Sequence, residues 1–338
     1  MPWDYSMLNQ QDLLKDWLQN ACHFNIHQMQ ELHGDASLRK YYRVYGVFDD
    51  QLPGSLILMD ARYAAEDTQQ FALVSKLLDS LAVRVPKIYH VCHEQKLILL
   101  EDLGSTQLLD IININNIDIF YKNALDELAT LQKNATYQEF NQLPSFNSLH
   151  MHTELQLFSD WFLNRHLNLT VDNNLLSQTF TKLVNKIDLF PKTIIHRDYH
   201  SRNLMVINNS QLGVIDFQDA MLGPRAYDVV SLLKDCYIVW EPNVQKRYCE
   251  YFLKKINKSS EYNKFWHEFQ LCGLQRHLKV LGIFARIHYR DNKARYLQDL
   301  PRVWEYTINA LEQLAEFKDF YQYLANTVAP VFLEKHPC

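Results

Sequence analysis

Apolar and polar positions in the first hundred residues follow the pattern of a small mixed α and β unit. Four apolar residues recur at helical spacing and predict an opening helix: Leu13, Leu14, Trp17 and Leu18. Residues 39–48 are rich in aromatic and β-branched types, a turn follows, and the apolar run 55–59 completes the pattern of a β-hairpin. We expect a further helix over 71–81 and short strands over 87–92 and 96–100.

The pattern changes after Gly104, where helical spacing dominates. An apolar helix face runs from Phe120 to Leu131, and only 193–216 interrupts the helices, with two short strands. The other predicted helices cover about 150–168, 174–189, 226–239, 243–258, 261–290 and 302–325. We therefore predict an α+β protein with an N-terminal domain over 1–104, built on an antiparallel sheet, and a larger, mainly helical domain over 105–338.

The bulk composition excludes several classes of protein. The 338 residues are 47% hydrophobic and 22% charged with a net charge of −5, which gives no basic excess for a nucleic-acid partner. The start has no basic segment before an apolar core, and no apolar run approaches the roughly 20 residues of a membrane helix. The six cysteines form no C-x-x-C pair and no zinc pattern. We expect a cytoplasmic monomer with free thiols and no membrane contact.

The segment 193–219 contains the candidate chemistry. Its two apolar strands, 204–207 and 213–215, flank a four-residue turn, and antiparallel pairing about that turn predicts that Asn203 faces Asp216. An amide oxygen and a carboxylate placed together suit Mg²⁺. Asp198 lies five residues before Asn203, where its carboxylate can face an incoming hydroxyl group. This arrangement is the template for phosphoryl transfer.

These residues resemble the catalytic motifs of kinases. His196-Arg197-Asp198 with Asn203 is similar to the H-x-D-x-x-x-x-N catalytic loop, and Asp216-Phe217-Gln218-Asp219 is similar to the metal-binding motif of aminoglycoside-phosphotransferase-type kinases. The resemblance implies a two-lobed protein-kinase-like fold, ATP and Mg²⁺. It also implies Asp198 as the base and Asn203 and Asp216 as the metal ligands.

The same resemblance implies supporting residues around the catalytic loop. His196 would buttress the loop and Asp219 would support the metal ligands from behind. Asp228, early in a predicted helix after Gly223-Pro224, would brace the loop, although a carboxylate is also favourable at a helix start for electrostatic reasons alone.

The nucleotide side departs from the kinase pattern. Residues 97–104 resemble the hinge between kinase lobes, with Glu101 and Leu103 offering backbone groups to adenine, although a plain turn has the same composition. No G-x-G-x-x-G is present, and Gly34 and Ser37 are the candidate phosphate-loop residues. The lysine expected on the third strand is missing. We hypothesise that Arg43 supplies the positive charge; the alternatives are a surface arginine and an inactive pseudokinase.

Five longer segments resemble the bacterial anomeric sugar kinases of cell-wall recycling: GDASLRKYYRV, LLEDLG, HRDYHSRNLMV, GVIDFQDAMLGPRAYDVVSLLKD and LQRHLKVLGIFARIHYRDNKARYLQDLPRV. This resemblance implies phosphorylation of the C1 hydroxyl of N-acetylmuramate or N-acetylglucosamine. The alternatives are another small-molecule kinase for aminoglycoside, choline or homoserine, and a non-catalytic nucleotide-binding scaffold. A protein kinase is disfavoured because only six residues separate Asp216 from Gly223, too few for an activation segment.

Charge near the C-terminus suggests the acceptor site. Four basic residues fall within about 80° of one another on a helix, forming a cationic stripe that suits an anionic acceptor: Arg276, Lys279, Arg286 and Arg290. A solvated face is the alternative, and Gly282 could interrupt the helix. Gln218 and Asp219 are further candidate acceptor residues, and Trp161 offers an aromatic face for a sugar ring, or a core residue.

Overall fold

The computed structural model describes residues 10–32, 38–48, 53–64, 68–135 and 137–337. The chain divides into two compact units, one comprising Met1–Asp79 with Arg84–Gly104 and the other Ser80–Val83 with Ser105–Cys338. In the described part of the chain, no helix is both long and apolar enough to cross a membrane. The five cysteines that lie in the described ranges are all free thiols.

The first unit is built on a five-stranded antiparallel sheet, counted over its described residues, with the order β1-β2-β3-β5-β4. Its strands are β1 (Phe24–Leu32), β2 (Lys40–Phe48), β3 (Pro53–Asp60), β4 (Ile88–Cys92) and β5 (Leu97–Glu101), and its helices are α1 (Gln10–Asn20) and α2 (Thr68–Ser80). The predicted hairpin is confirmed, because β2 and β3 pair in antiparallel register from Lys40↔Asp60 to Val47↔Pro53. The two predicted helices and the last two strands are confirmed as well.

In the first unit, the sequence pattern did not predict the edge strand β1. Only Phe24 in it is fully buried, and a bulge between Ile26 and Gln28 interrupts the alternation of its side chains. A half-exposed edge strand with a bulge leaves a weak period-two signal. The helix α1 packs on this strand, and its apolar face closes the core of the unit. That core includes Leu14, Trp17, Leu18, Phe24, Tyr42, Val44, Leu58 and Leu99.

The second unit is mainly helical. Its helices are α3 (Leu108–Ile111), α4 (Ile117–Asn134), α5 (Tyr137–Phe140), α6 (Ser148–Leu157), α7 (Asn173–Asp188), α8 (Tyr227–Leu233), α9 (Pro242–Lys255), α10 (Tyr262–Asp291), α11 (Leu300–Glu312), α12 (Lys318–Tyr323) and α13 (Ala329–Lys335). A π-helical segment, Phe158–His166, continues α6, and a second one, Leu324–Val328, joins α12 to α13. The predicted α+β class, with an antiparallel sheet followed by a mainly helical part, is confirmed.

Two predicted helices are shorter than the pattern suggested. The helix expected over 226–239 ends at Leu233, and the one expected over 302–325 is divided into α11 and α12. Lys234 and Asp235 follow α8 as buried polar residues. The helix α10, by contrast, continues unbroken through Gly282. A Cβ atom there would lie 2.3 Å from the backbone carbonyl carbon of Leu157, so glycine permits the close contact between α10 and the end of α6.

The second unit also contains two short antiparallel strand pairs. They are β6 (Lys192–Ile195) with β9 (Met221–Pro224), and β7 (Leu204–Ile207) with β8 (Gln211–Val214). The predicted register of the second pair is wrong by one residue. The turn consists of the three residues Asn208–Ser210 instead of four, so Leu204 pairs with Val214, and Asn203 is level with Ile215 and not with Asp216.

Candidate active site

The loop between β6 and β7, residues 196–203, holds Asp198 and is fixed by buried groups. The backbone amides of His196 and Arg197 donate to the two carboxylate oxygens of Asp228, at 2.6 and 3.0 Å. The ring Nε2 of His196 lies 2.9 Å from the carbonyl oxygen of Ile215. Asp228 therefore binds the start of the loop, and His196 connects the loop to Ile215, the residue after β8.

Asp198 presents a partly exposed carboxylate among buried cations. Its side chain is 39% exposed, whereas that of Arg276, whose Nη1 lies 3.4 Å from Asp198 Oδ1, is 2% exposed. Burial opposes ionisation of Asp198, but the positive charges of Lys279, Arg276, His200 and Arg197 outweigh it and hold the pKa of Asp198 well below its ordinary value. The group is therefore an ion throughout the neutral range.

Glu154 on α6 is a central residue of the site that the sequence did not reveal. Its Oε1 accepts from Arg197 Nη2 at 2.5 Å and lies 3.1 Å from Lys279 Nζ, and its Oε2 accepts from Gln275 at 2.9 Å. Arg197 has a φ of 77°, a left-handed conformation that is uncommon outside glycine, and Glu154 holds its side chain. The one signal in the sequence was an acidic residue on the apolar face of α6, beside Met151 and Leu155.

Asp216 lies at the open end of the β7–β8 hairpin. The amide of Ile215 donates to the carbonyl oxygen of Asn203 at 3.0 Å, so Asp216 is one residue beyond the position opposite Asn203. A φ of 62° at Asp216 takes the chain out of strand geometry at this point. The left-handed residue therefore redirects the chain at the end of the ladder, directly after Ile215, the residue that bonds to Asn203.

Gln218 connects the two carboxylates of this segment. Its Nε2 donates to Asp216 Oδ1 at 3.0 Å and to Asp219 Oδ2 at 3.2 Å, while both aspartates are exposed. Gln218 itself is 7% exposed, so a buried amide holds two solvent-facing carboxylates close to each other.

The donor set at this end of the hairpin fits magnesium. Within the described residues, no cluster of three or more His, Cys, Asp or Glu side chains is placed to hold a metal. A cation here would be held by Asn203 and Asp216, with the remaining ligands from water and phosphate. Mg²⁺ accepts such a set, because it prefers oxygen ligands and retains several that are not protein groups.

The predicted nucleotide residues of the first unit have defined partners where they are described. Arg43 donates to both oxygens of Asp102, at 2.7 and 3.1 Å, and to the carbonyl oxygen of Gly104 at 2.8 Å. Glu101 accepts from Arg84 and from the amide of Lys87. These contacts connect β2, and the residues just before β4, to the last residue of β5 and the segment that follows it.

The remaining nucleotide predictions stay untested by these contacts. Leu103 is buried. Gly34 and Ser37, the predicted phosphate loop, lie outside the described residues. At the end of β3, where a lysine was expected, Asp60 is fully buried and accepts two hydrogen bonds from the guanidinium of Arg62.

The predicted cationic stripe on α10 divides into two parts. Arg276 and Lys279 are buried and reach Asp198 and Glu154. Arg290 is turned to its neighbour Asp291. Arg286 is half-buried, and its Nε has no hydrogen-bond partner among the described residues. Trp161 is half-buried on the π-helical segment that follows Leu157, the residue in close contact with Gly282.

Known proteins resemble this chain over most of its length. An N-acetylmuramate/N-acetylglucosamine kinase of Pseudomonas aeruginosa is 38% identical over 300 residues, covering 86% of each chain. A protein of the same name from Neisseria meningitidis serogroup B is 32% identical over 339 residues, covering 97% of this chain and 98% of the relative.

Solved structures of small-molecule kinases share the fold. A Plasmodium vivax ethanolamine kinase superposes with a TM-score of 0.64 at 13% identity, covering 90% of this chain and 91% of its own. Choline kinase LicA from Streptococcus pneumoniae gives 0.61 at 12% identity, covering 88% and 99%. The predicted protein-kinase-like fold is thereby confirmed. A model of the phosphotransferase enzyme family matches residues 28–262, and the chain belongs to that family.

Proposed function

We propose that this protein is an ATP-dependent kinase that phosphorylates the C1 hydroxyl of N-acetylmuramate and N-acetylglucosamine in the cytoplasm. The observation on which the proposal rests is the ionised, partly exposed carboxylate of Asp198, on a loop whose last residue, Asn203, bonds to Ile215, the residue before Asp216. Relatives that are 32–38% identical over most of this chain are named for kinase activity on these two sugars.

Each residue has a role that its environment supports. Bound ATP would supply the phosphoryl group, and bound Mg²⁺ would supply a counter-charge for the diphosphate that leaves. Asn203 and Asp216 would hold the metal. Asp198 would accept a hydrogen bond from the sugar hydroxyl and fix its direction. As the new oxygen–phosphorus bond forms and the bond to the leaving diphosphate breaks, the hydroxyl proton passes to the Asp198 carboxylate.

The low pKa of Asp198 favours orientation over early proton removal. A strongly stabilised carboxylate is a weak base, so it would gain little by taking the proton before the phosphoryl group arrives. A loose transition state makes small demands on the nucleophile, which suits such a group. Asp198 therefore orients the sugar hydroxyl first and accepts its proton only as the oxygen–phosphorus bond forms.

The charge around Asp198 bears on the class of acceptor. Arg276, Lys279 and Arg197 place positive charge beside it, and the carboxylates that these three cations contact are Glu154 and Asp198 itself. A polycationic aminoglycoside or a choline would meet repulsion there, and a neutral or anionic sugar would not. Gln218 and Asp219 stand beside the proposed metal ligand, where they can contact the acceptor or support Asp216.

The test is a phosphoryl-transfer assay with ATP, Mg²⁺ and each free sugar. Its control acceptor is the methyl glycoside of N-acetylglucosamine, in which the C1 oxygen is blocked. We expect both free sugars to react, the glycoside to be inert, and phosphorus NMR to show a sugar 1-phosphate. Asp198→Asn should lower turnover by about 10²–10⁴. Phosphorylation of the glycoside at the rate of the free sugar would refute C1 as the acceptor.

A further inference from the structure

The catalytic loop is held at two points by carboxylates seven residues apart in sequence. Asp228, in the first turn of α8, accepts from the amides of His196 and Arg197 at the start of the loop. Asp235, just beyond the end of α8, accepts from the amide of Ser201 at 2.8 Å near the end of the loop. Asp198 lies between the two attachment points.

Asp235 is fully buried, and backbone amides occupy both of its oxygens. Oδ2 accepts from Ser201, and Oδ1 accepts from Tyr237 at 2.8 Å. The buried hydroxyl of Ser201 has no hydrogen-bond partner among the described residues, so its amide is the group that connects it to Asp235. Burying a carboxylate costs desolvation free energy, and here both of its oxygens are bound by backbone amides. The carboxylate therefore holds the backbone at Ser201 in place.

The position of Ser201 determines that of Asn203. Ser201–Asn203 form a single 3₁₀ turn, and the amide of Asn203 donates to the carbonyl oxygen of His200 at 2.9 Å. The side-chain nitrogen of Asn203 donates to the carbonyl oxygen of Asp198 at 2.9 Å, and this hydrogen bond does not use the side-chain oxygen that a metal would need. A shift at Ser201 would therefore displace the carboxamide oxygen of Asn203.

We propose that Asp235 is a positioning residue for the metal ligand Asn203, whereas Asp228 positions the Asp198 end of the loop. This assignment rests on the proposed function, because it takes Asn203 as a magnesium ligand. It predicts that the two aspartates have separable effects. Loss of Asp235 should weaken metal binding, and loss of Asp228 should lower turnover with metal affinity preserved.

The experiment measures Mn²⁺ binding to the protein with ADP, by the loss of the electron-paramagnetic-resonance signal of free Mn²⁺. No sugar is needed, so the result is independent of the acceptor. We expect Asp235→Asn to weaken Mn²⁺ binding about 10- to 100-fold, as loss of a partner behind a metal ligand commonly does. Asp228→Asn should bind Mn²⁺ with wild-type affinity and lose turnover. Thermal melting of each variant verifies that it is folded.

A rescue variant tests the route through the Ser201 amide. Ser201 opens the turn, and the preceding His200 is extended at φ −123° and ψ 170°, a conformation that a following proline tolerates. Ser201→Pro removes the amide that Asp235 accepts from and restrains the same backbone position. The double variant Asp235→Asn with Ser201→Pro should regain most of the Mn²⁺ affinity.

The outcomes are distinct. Wild-type Mn²⁺ affinity in Asp235→Asn, no recovery in the double variant, or no Mn²⁺ binding by the wild-type protein with ADP would each overturn the inference. If the wild-type protein binds Mn²⁺ with ADP and the variants behave as expected, yet neither sugar is phosphorylated, the proposed function fails and the role of Asp235 stands.

Discussion

The guanidinium of Arg276 lies 3.4 Å from the carboxylate of Asp198, and it is buried while its partner is partly exposed to solvent. One side of Asp198 is thus fixed by the protein and the other is left for a substrate. Arg276, which the sequence suggested as an acceptor contact, is better placed to set the charge state of Asp198. That role can be tested through the pH dependence of the reaction.

Replacing Arg276 should move the acidic limb of the pH–rate profile. Arg276 lowers the pKa of Asp198, so Arg276→Met should raise that pKa and bring the loss of kcat/KM to higher pH. Arg276→Lys keeps a positive charge and should leave the limb near its wild-type position. An unshifted limb in Arg276→Met would show that the charge of Asp198 is set elsewhere.

Glu154→Gln should damage both stability and turnover. The variant leaves the buried Arg197 and Lys279 without their counter-charge, a change that typically costs about 3–5 kcal/mol of unfolding free energy. Denaturant unfolding and steady-state kinetics measure the two effects. His150 lies 3.6 Å from Glu154 and is partly exposed, so His150→Gln serves as the control and should change either quantity little.

Arg43→Ala should raise the KM for ATP roughly tenfold, about 1.4 kcal/mol, and leave the KM for the sugar unchanged. The variant releases Asp102 and the carbonyl oxygen of Gly104, which Arg43 holds at the exit of β5. Arg43→Lys tests whether charge alone suffices; we expect partial recovery, because lysine cannot bind Asp102 in the two-pronged way that arginine does. Wild-type ATP kinetics in Arg43→Ala would remove Arg43 from the nucleotide site.

Ionic strength should distinguish the two sugars. N-acetylmuramate carries a carboxylate and N-acetylglucosamine does not, so added salt should raise the KM of the former several-fold and leave the latter nearly constant. Arg286→Gln should reduce this salt dependence, since Arg286 is a half-buried cation whose Nε has no partner in the described part of the chain. Arg290→Gln is the matched control, because Arg290 pairs with Asp291. Equal salt dependence for both sugars would argue against the cationic acceptor site.

Acid should destabilise the C-terminal helical region. His166 is buried with its Nε2 2.9 Å from that of His336, and burial together with the positive charges of His336, Lys335 and His288 lowers the pKa of His166 to about 4. The unfolded chain binds this proton near pH 6.5 and therefore holds more protons than the folded chain between pH 6.5 and 4. Stability should fall as the pH drops through that window, by about 3 kcal/mol from this group.

Urea unfolding at pH 7, 5.5 and 4.5 measures this acid dependence. His166→Gln should flatten the dependence, and the exposed His27→Gln should retain it. A wild-type slope in His166→Gln would assign the acid sensitivity to other groups.

Part of the candidate site could be predicted from the sequence, because local chain geometry places its residues. Asp198, Asn203 and Asp216 could be proposed together because a loop and a hairpin fix their separation within about twenty residues. The predicted register was still wrong by one position, because the turn uses three residues and the composition of 208–211 suggested four. The left-handed conformation of Asp216 could not be inferred from residue type.

The residues that support the loop were harder to predict from the sequence. Glu154 and Asp235 reach the loop from segments more than thirty residues away; no quoted motif contains Glu154, and Asp235 ends one without any role assigned to it. Their contacts arise from the packing of α6, α8 and α10, which apolar periodicity does not specify. The bulged edge strand β1 was missed for a related reason, since its pairing with β2 depends on a partner strand and only weakly on its own pattern.

The absence of a side chain at Gly282 sets a separation on which the electrostatics of the reaction centre depend. A methyl group at that position would meet the backbone of Leu157 and force the two helical segments apart. The segment that ends α6 carries Glu154 and α10 carries Lys279, and this ion pair lies beside Asp198, the proposed catalytic residue. The smallest residue in the chain thereby acts as a spacer within one helical turn of both charged groups, and we expect a larger residue there to alter turnover without touching any substrate.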